Sequence, residues 1–205
     1  MAQIPGEPRL RVIHRPRGYA PFGDFYCGSG EPEAAVNRIV AAQYAGREEG
    51  VRVVVMETPR AGLVGVAAFS ARELTLDVLP TPWRGTRSAA TTVTVPDAAY
   101  IHAIGLDENF RGHRVEGGAR AGTFLLQGTL DLIREAFGGE VPWTWAYLDP
   151  ANAPSQRLFH ESGFGYVPPQ GPVEDSKRVL PSVRFDGPLM ARGWRCGAFP
   201  SVPER

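Results

Sequence analysis

The sequence predicts a mixed α+β (α/β) chain built around one sheet, and three observations carry that prediction. Two β-branched apolar runs, Val51 to Met56 and Gly62 to Ser70, flank a Pro59-Arg60-Ala61-Gly62 turn and read as a hairpin of buried strands. Further along, extended runs alternate with stretches of helical periodicity. Early strands followed by alternating strands and helices describe a sheet with helices packed on it. At 205 residues the chain fits one domain, 1–205, with 168–205 a C-terminal extension completing the sheet.

The elements follow in order. Leu10 to Ile13 is a short strand among prolines that forbid a long helix. Glu31 to Arg47 places Val36, Ile39, Val40 and Tyr44 at helical spacing. Between Leu74 and Ala99, Pro80, Pro82, Gly85 and Pro96 predict irregular connections with one strand at Leu74 to Leu79. Tyr100 to Leu106 is a strand. Thr123 to Ala136 brings Leu125, Leu126, Leu130 and Ile133 onto one helical stripe. Trp143 to Leu148 is the next strand, Asn152 to Glu161 the next helix, and Gly163 to Val167 is extended. A proline-rich loop runs from Pro168 to Pro172, and Val179 to Met190 supplies a last strand near its middle.

Composition excludes several classes. A 43% hydrophobic content rules out a disordered chain, and no apolar run approaches the ~18 residues of a membrane span. Formal net charge is zero, so nothing draws the whole chain to nucleic acid or anionic lipid. Cys27 and Cys196 lie far apart, with no C-x-x-C or zinc spacing, so both are expected to be structural thiols and no metal is expected. No signal peptide is recognised, and a cytoplasmic location is the expectation.

Residues 149–164, Asp-Pro-Ala-Asn-Ala-Pro-Ser-Gln-Arg-Leu-Phe-His-Glu-Ser-Gly-Phe, form a capped amphipathic helix: Asn152 at its start, Ser155, Leu158 and Phe159 along it, and Gly163 closing it. The spacing N-x-x-S-x-x-L-F-x-x-x-G-F resembles the second acyl-CoA motif of the GNAT superfamily of N-acetyltransferases, usually N-x-x-A-x-x-L-Y-x-x-x-G-F. Leu106-Asp107-Glu108-Asn109-Phe110-Arg111-Gly112 is similar to the family's lead-in V-x-P-x-Y-R-G, with Glu108 in place of proline. The R/Q-x-x-G-x-G/A loop that follows in the family has two registers here. Arg114-x-x-Gly117-x-Ala119 satisfies it literally, but the paired leucines then fall out of place. Taking Gly122 as the last small residue aligns Thr123, Leu125 and Leu126, and the loop becomes Gly117-Gly118-Ala119-Arg120-Ala121-Gly122. The second register is preferred.

The resemblance covers about Glu31 to Val167 and implies the GNAT fold: a mixed, mostly antiparallel sheet flanked by helices, with splayed strands four and five. It implies acetyl-CoA as co-substrate, its pyrophosphate on the amides of Gly117, Gly118, Ala119, Arg120, Ala121, Gly122 and Thr123, where backbone donors meet a positive helix end. Pantetheine would pair with Ile104, Gly105 and Leu106 of strand four, and Asn152, Ser155 and Phe159 would complete the site. Gly105 either eases a bulge there or marks a close packing contact.

Acetyl transfer to an amine needs a base, and the departing thiolate benefits from an acid. Phe159 stands where relatives carry a tyrosine acid and cannot donate a proton. His102 lies on strand four where a glutamate is common, its ordinary pKa of about 6.5 suited to proton removal, and Tyr100 shares its face. His113 and His160 read as surface residues, Trp143 and Trp145 as core or pocket wall, and Asp107 with Glu108 as either an acidic rim for an amine or solvated charge. The expected activity is acetyl transfer to a primary amine of a small molecule, peptide or protein. Two alternatives stand beside it: a non-catalytic acyl-CoA-binding relic, and a toxin acetylating aminoacyl-tRNA, to which Asp24-Phe25-Tyr26-Cys27-Gly28 and the first hairpin are similar. The expected partners are acetyl-CoA and an amine acceptor, with no membrane, no nucleic acid outside the toxin reading, and a homodimer as in many relatives. The acceptor pocket is expected from the first helix, Leu79 to Asp97 and Pro168 to Arg205.

Overall fold

The computed structural model describes residues 2–14, 16–47, 50–78, 91–95, 98–139, 143–149, 152–167 and 189–193. Its main sheet has seven strands in the order β1 (Arg9–Ile13), β2 (Arg52–Thr58), β3 (Gly62–Ala71), β6 (Ala99–Leu106), β7 (Trp143–Tyr147), β9 (Leu189–Gly193), β8 (Gly165–Val167). Every neighbouring pair is antiparallel except β6 with β7. The sequence expectation of a mixed, mostly antiparallel sheet with flanking helices is the observed architecture.

Helices cover both faces, which is why β2 and β3 read as continuous apolar runs instead of alternating ones. On one face α3 (Ala121–Ala136) sets Leu125, Leu126, Leu130 and Ile133 against Val54, Met56, Ala67, Phe69 and Ile101, and α4 (Ala153–Glu161) adds Phe159. On the other, α1 (Pro21–Asp24) and α2 (Glu31–Tyr44) bring Phe22, Val36 and Val40 onto Val53, Val55 and Val66. A third cluster, Leu74, Ala98, Tyr100 and Trp145, gathers where β6 and β7 begin. Gly128, inside α3, marks a close approach: a Cβ there would meet the Leu10 side chain of β1, which would have to shift.

Several elements differ from expectation. The first long helix stops at Tyr44 because Gly46 takes φ +68° and closes it, its N–H donating to Gln43 O at 3.0 Å. The one-turn α1 was not predicted. The expected lone strand at Leu74 to Leu79 is β4 (Leu74–Val78), and it pairs with a second strand, β5 (Thr91–Val95), in a separate two-stranded sheet. The last strand is Leu189–Gly193, beyond the middle of Val179 to Met190, so the expected position is corrected; residues 179–188 and the proline-rich 168–172 lie outside the described residues. So do most of the segments expected to shape an acceptor pocket, 79–90 and 194–205 among them. Among the described residues no helix is long and apolar enough to cross a membrane.

Candidate functional site

Strands β6 and β7 pair at Ala99↔Thr144 and Tyr100↔Trp145 and then part; β7 continues its ladder with β9 instead. From Ile101 onward the β7-facing edge of β6 has no ladder partner among the described residues. Which backbone groups this exposes follows from antiparallel alternation with β3. Asp107 N–H donates to Val64 O at 2.9 Å, so Asp107 and, two residues back, Gly105 face β3. Ile104 and Leu106 therefore present their N–H and C=O groups to the gap.

The sequence expectation for strand four is corrected in two respects. The bulge falls at His102, which is the extra residue between the pairs Ala68↔Ala103 and Phe69↔Ile101; the groups at 104 and 106 are freed by the divergence of β7. Gly105 turns its backbone away from the gap, and its missing side chain serves packing: a Cβ would lie 2.6 Å from Cys27 Sγ and 2.9 Å from Val36 Cγ1.

A cavity of about 370 Å³ passes through this gap. Its walls come from both sides of the sheet: Cys27, Glu33 and Val36 from the α2 side, Gly122, Leu125 and Leu158 from the side of α3 and α4. Ile104, Gly105, Leu106, Asn152 and Ser155 also line it, so the structure brings these predicted residues together with Gly122. Asn152 is the N-cap of α4, its Oδ1 accepting from Ser155 N–H at 3.1 Å.

The predicted glycine-rich loop is only partly at the cavity. Gly117 and Gly118 adopt φ +91° and +88° in a turn that bonds to itself. Gly118 N–H donates to Val115 O, Val115 N–H to Ala119 O, and the Arg114 guanidinium to Gly118 O. Gly117, Gly118, Ala119 and Arg120 do not line the cavity. Arg120 is the N-cap of α3; Ala121 N–H is spent on His113 O at 3.0 Å and Phe124 N–H on Arg120 O at 2.9 Å. Gly122 and Thr123, in the first turn with no preceding helical carbonyl, keep open N–H donors. Leu125 and Leu126 are wholly buried on the inner face of α3. Phe159 is displaced from the expected site: it is 1% exposed and packs edge-on against Phe164 at 4.8 Å, while Leu158 reaches the cavity.

His102 lies where the strands begin to part. Its Nε2 is 2.8 Å from Ser70 Oγ, and its ring packs against Tyr100 at 4.5 Å between centroids. Burial, and then the charge of Arg72, push its pKa down to about 4, well below the ordinary value assumed from sequence. Tyr100 is 8% exposed and a core member, its phenol pushed up by burial. The Arg72 guanidinium stands over the rings of Tyr100 at 5.1 Å and Trp145 at 5.6 Å.

Sequence reasoning missed four groups here. Glu33, Arg111 and Cys27 converge on the cavity from separate elements: Arg111 pairs with Glu33 at 2.9 Å and donates to Cys27 O. The Cys27 thiol is pushed up by burial, partly offset by Arg111. The only signal in sequence was the Arg111-Gly112 lead-in. Tyr147, two residues past the last β6–β7 pair, contacts Trp145 at 5.5 Å and Tyr100 at 6.4 Å; burial pushes its phenol up, so it stays protonated near neutrality. Asp107 is not an acidic rim: it is buried, and its carboxylate accepts from Tyr26 N–H, Asn109 N–H and Asn109 Nδ2. Among the described residues no group of three or more His, Cys, Asp or Glu side chains is placed to hold a metal ion.

The parted strands, the helix start at the mouth of the gap and the asparagine-capped helix beside it define the fold of the GNAT acetyltransferases, and the chain has that fold. Among solved structures it is similar to a tyrosine-to-phenylalanine mutant of the AtaT toxin, at 14% identity over 93% of each chain, with a TM-score of 0.59. It is also similar to AtaTR bound with acetyl-CoA, at 10% identity over 91% of this chain and 94% of the other, TM-score 0.57. A protein assigned as a phosphinothricin N-acetyltransferase matches at 18% identity over 91% and 98%, TM-score 0.50. No protein-family model and no curated relative matches the sequence.

Proposed function

We propose that this protein is an acetyl-CoA-dependent N-acetyltransferase that acts on a primary amine. The observation that carries the reading is the cavity at the parted strands, lined from the α2 side of the sheet and from the side of α3 and α4. Such a slot lets a thioester enter from one face and an amine from the other. The backbone groups of Ile104 and Leu106 would pair with the pantetheine amides. The Gly122 and Thr123 N–H donors, at the positive end of a 16-residue helix, suit the diphosphate.

His102 would take the proton from the attacking amine: with a pKa of about 4 its ring is neutral at working pH and, as a weak base, holds that proton only in passing. The amine nitrogen bonds to the acetyl carbon, the C–S bond breaks, and CoA leaves as the thiolate. Tyr147, a protonated phenol beside the gap, would supply the proton that the sulfur takes up, the role that buried Phe159 cannot fill. The proton held by His102 returns to solvent and balances the one that Tyr147 regains.

A second reading, a cofactor-binding relic without catalysis, is favoured by Phe159 alone. The AtaT likeness, at 14% identity, assigns no acceptor, and a zero net charge argues against a tRNA substrate.

Titration calorimetry with acetyl-CoA, followed by CoA release across a panel of primary amines, tests the proposal. Saturable binding with release on at least one amine is the expected result; binding without release supports the relic, and no binding removes both readings. Gly122→Ala separates fold from site. A Cβ at Gly122 meets only Leu158 methyls at 3.7 and 3.9 Å, so Tm should hold or rise, alanine favouring a helix by up to about 1 kcal/mol over glycine. The same methyl crowds an open N–H donor, and acetyl-CoA affinity should fall about tenfold, the equivalent of one charged hydrogen bond. Unchanged affinity would place the diphosphate elsewhere.

A further inference from the structure

Arg72 follows β3, its N–H donating to Ala98 O at 2.7 Å. Its side chain is half-buried, yet no carboxylate among the described residues pairs with it. Arg11, Arg111 and Arg134, all more peripheral, each sit against an acid. A guanidinium drawn partly out of water without an anion keeps an unmet demand.

What Arg72 faces instead is aromatic: its guanidinium carbon lies over the Tyr100 ring at 5.1 Å from the centroid and over the Trp145 ring at 5.6 Å. A ring face attracts the cation but offers its N–H donors no strong acceptor, so the planar fork is left for an anion. The two rings are themselves 4.3 Å apart and buried. The guanidinium and His102 share the Tyr100 ring as a neighbour, at 5.1 and 4.5 Å, where β6 and β7 part. The Arg72 charge is felt there by three titratable neighbours, His102, Tyr100 and Tyr147.

We propose that Arg72 is the carboxylate-binding residue of the acceptor site, and that the acceptor is an amino acid: a primary amine joined by a few bonds to a carboxylate that docks bidentately on the guanidinium. This rests on the transferase reading. A planar carboxylate matches the fork with two parallel N–H···O bonds, and its docking turns the amine toward His102. Trp143 and Tyr147, which pack beside Tyr100 and Trp145, give the acceptor side chain an apolar wall. An amine without an anion would leave the fork unsatisfied.

The test compares amino acids with the amines left by their decarboxylation: phenylalanine with phenethylamine, leucine with 3-methylbutylamine, lysine with cadaverine. CoA release is followed for each, with O-phosphoethanolamine as the phosphate arm. For at least one pair the amino acid should exceed its amine in kcat/KM by about 30-fold, the range of a charge-assisted bidentate contact. Arg72→Gln should bring that ratio close to one, through KM for the amino acid, with acetyl-CoA affinity unchanged. Arg72→Lys keeps the charge without the fork and should recover only part of the preference; it also serves if the glutamine variant fails to fold. Equal use of amine and amino acid, a preference for the phosphate, or a preference that survives Arg72→Gln overturns the assignment while leaving the transferase reading intact. Absence of acetyl-CoA binding overturns the transferase reading itself.

Discussion

Replacing His102 with alanine is expected to lower CoA release about 100-fold, the usual contribution of a positioned base, with acetyl-CoA affinity within twofold of wild type. His102 stands on the bulge where β6 leaves β7, two residues before the cavity-lining Ile104, and is not itself among the residues that line the cavity with Gly122 and Asn152, so it should affect chemistry and not cofactor binding. A structural role is the competing explanation, because Nε2 and Ser70 Oγ are 2.8 Å apart. His102→Gln separates the two: it keeps a partner for Ser70 but offers no base, so it should be as slow as alanine while holding the wild-type Tm. A glutamine variant of wild-type rate would remove His102 from the chemistry.

The pH profile carries the same test. With its folded pKa lowered to about 4, the ring is neutral across pH 5–7, and the acid limb of kcat should fall near pH 4, not near 6.5. The sign for stability follows from the same shift. Between about pH 6.5 and 4 the unfolded chain binds a proton at this residue that the folded chain does not, so this group lowers stability as pH falls through that window. The His102→Gln variant should lose that component of the pH dependence.

Leu126→Ala is expected to destabilise the fold by about 3 kcal/mol and lower Tm by roughly 10 °C, since a fully buried leucine loses both its transfer free energy and its cavity filling. Leu126 is 0% exposed in the cluster that joins α3 to β2, β3 and β6, and unlike Leu125 it does not line the site cavity. Acetyl-CoA affinity per folded molecule should therefore be nearly unchanged. Chemical denaturation checks the size, and a loss under about 1 kcal/mol would contradict the packing of α3.

Features that depend on neighbours in sequence were the legible ones. Val51 to Met56 announced a strand buried on both faces, and the Leu125, Leu126, Leu130, Ile133 stripe announced α3. Asn152 and Ser155 were found because a cap and the N–H that donates to it lie within one helical turn. β5 was missed although Thr91–Val95 is β-branched throughout, because Pro80, Pro82, Gly85 and Pro96 around it were read as irregular connections and it pairs only with β4, outside the main sheet. The loop at 117–120 was read as a phosphate cradle from its glycines, and composition could not show that its own backbone bonds close it into a turn. Cys27 and Glu33 lie close together in sequence, but Arg111 comes from a distant segment, and its meeting with them is a product of packing. The low pKa of His102 is of the same kind, set by burial and by Arg72, 30 positions away.

A crystal structure of the protein with acetyl-CoA tests the central claim most directly. The expected result is the pantetheine arm lying between β6 and β7, its amides on the backbone of Ile104 and Leu106, the diphosphate on the Gly122 and Thr123 N–H groups and the thioester beside His102. A coenzyme seated anywhere else, or a β6–β7 ladder that continues past Tyr100 and Trp145 and shuts the gap, would contradict it.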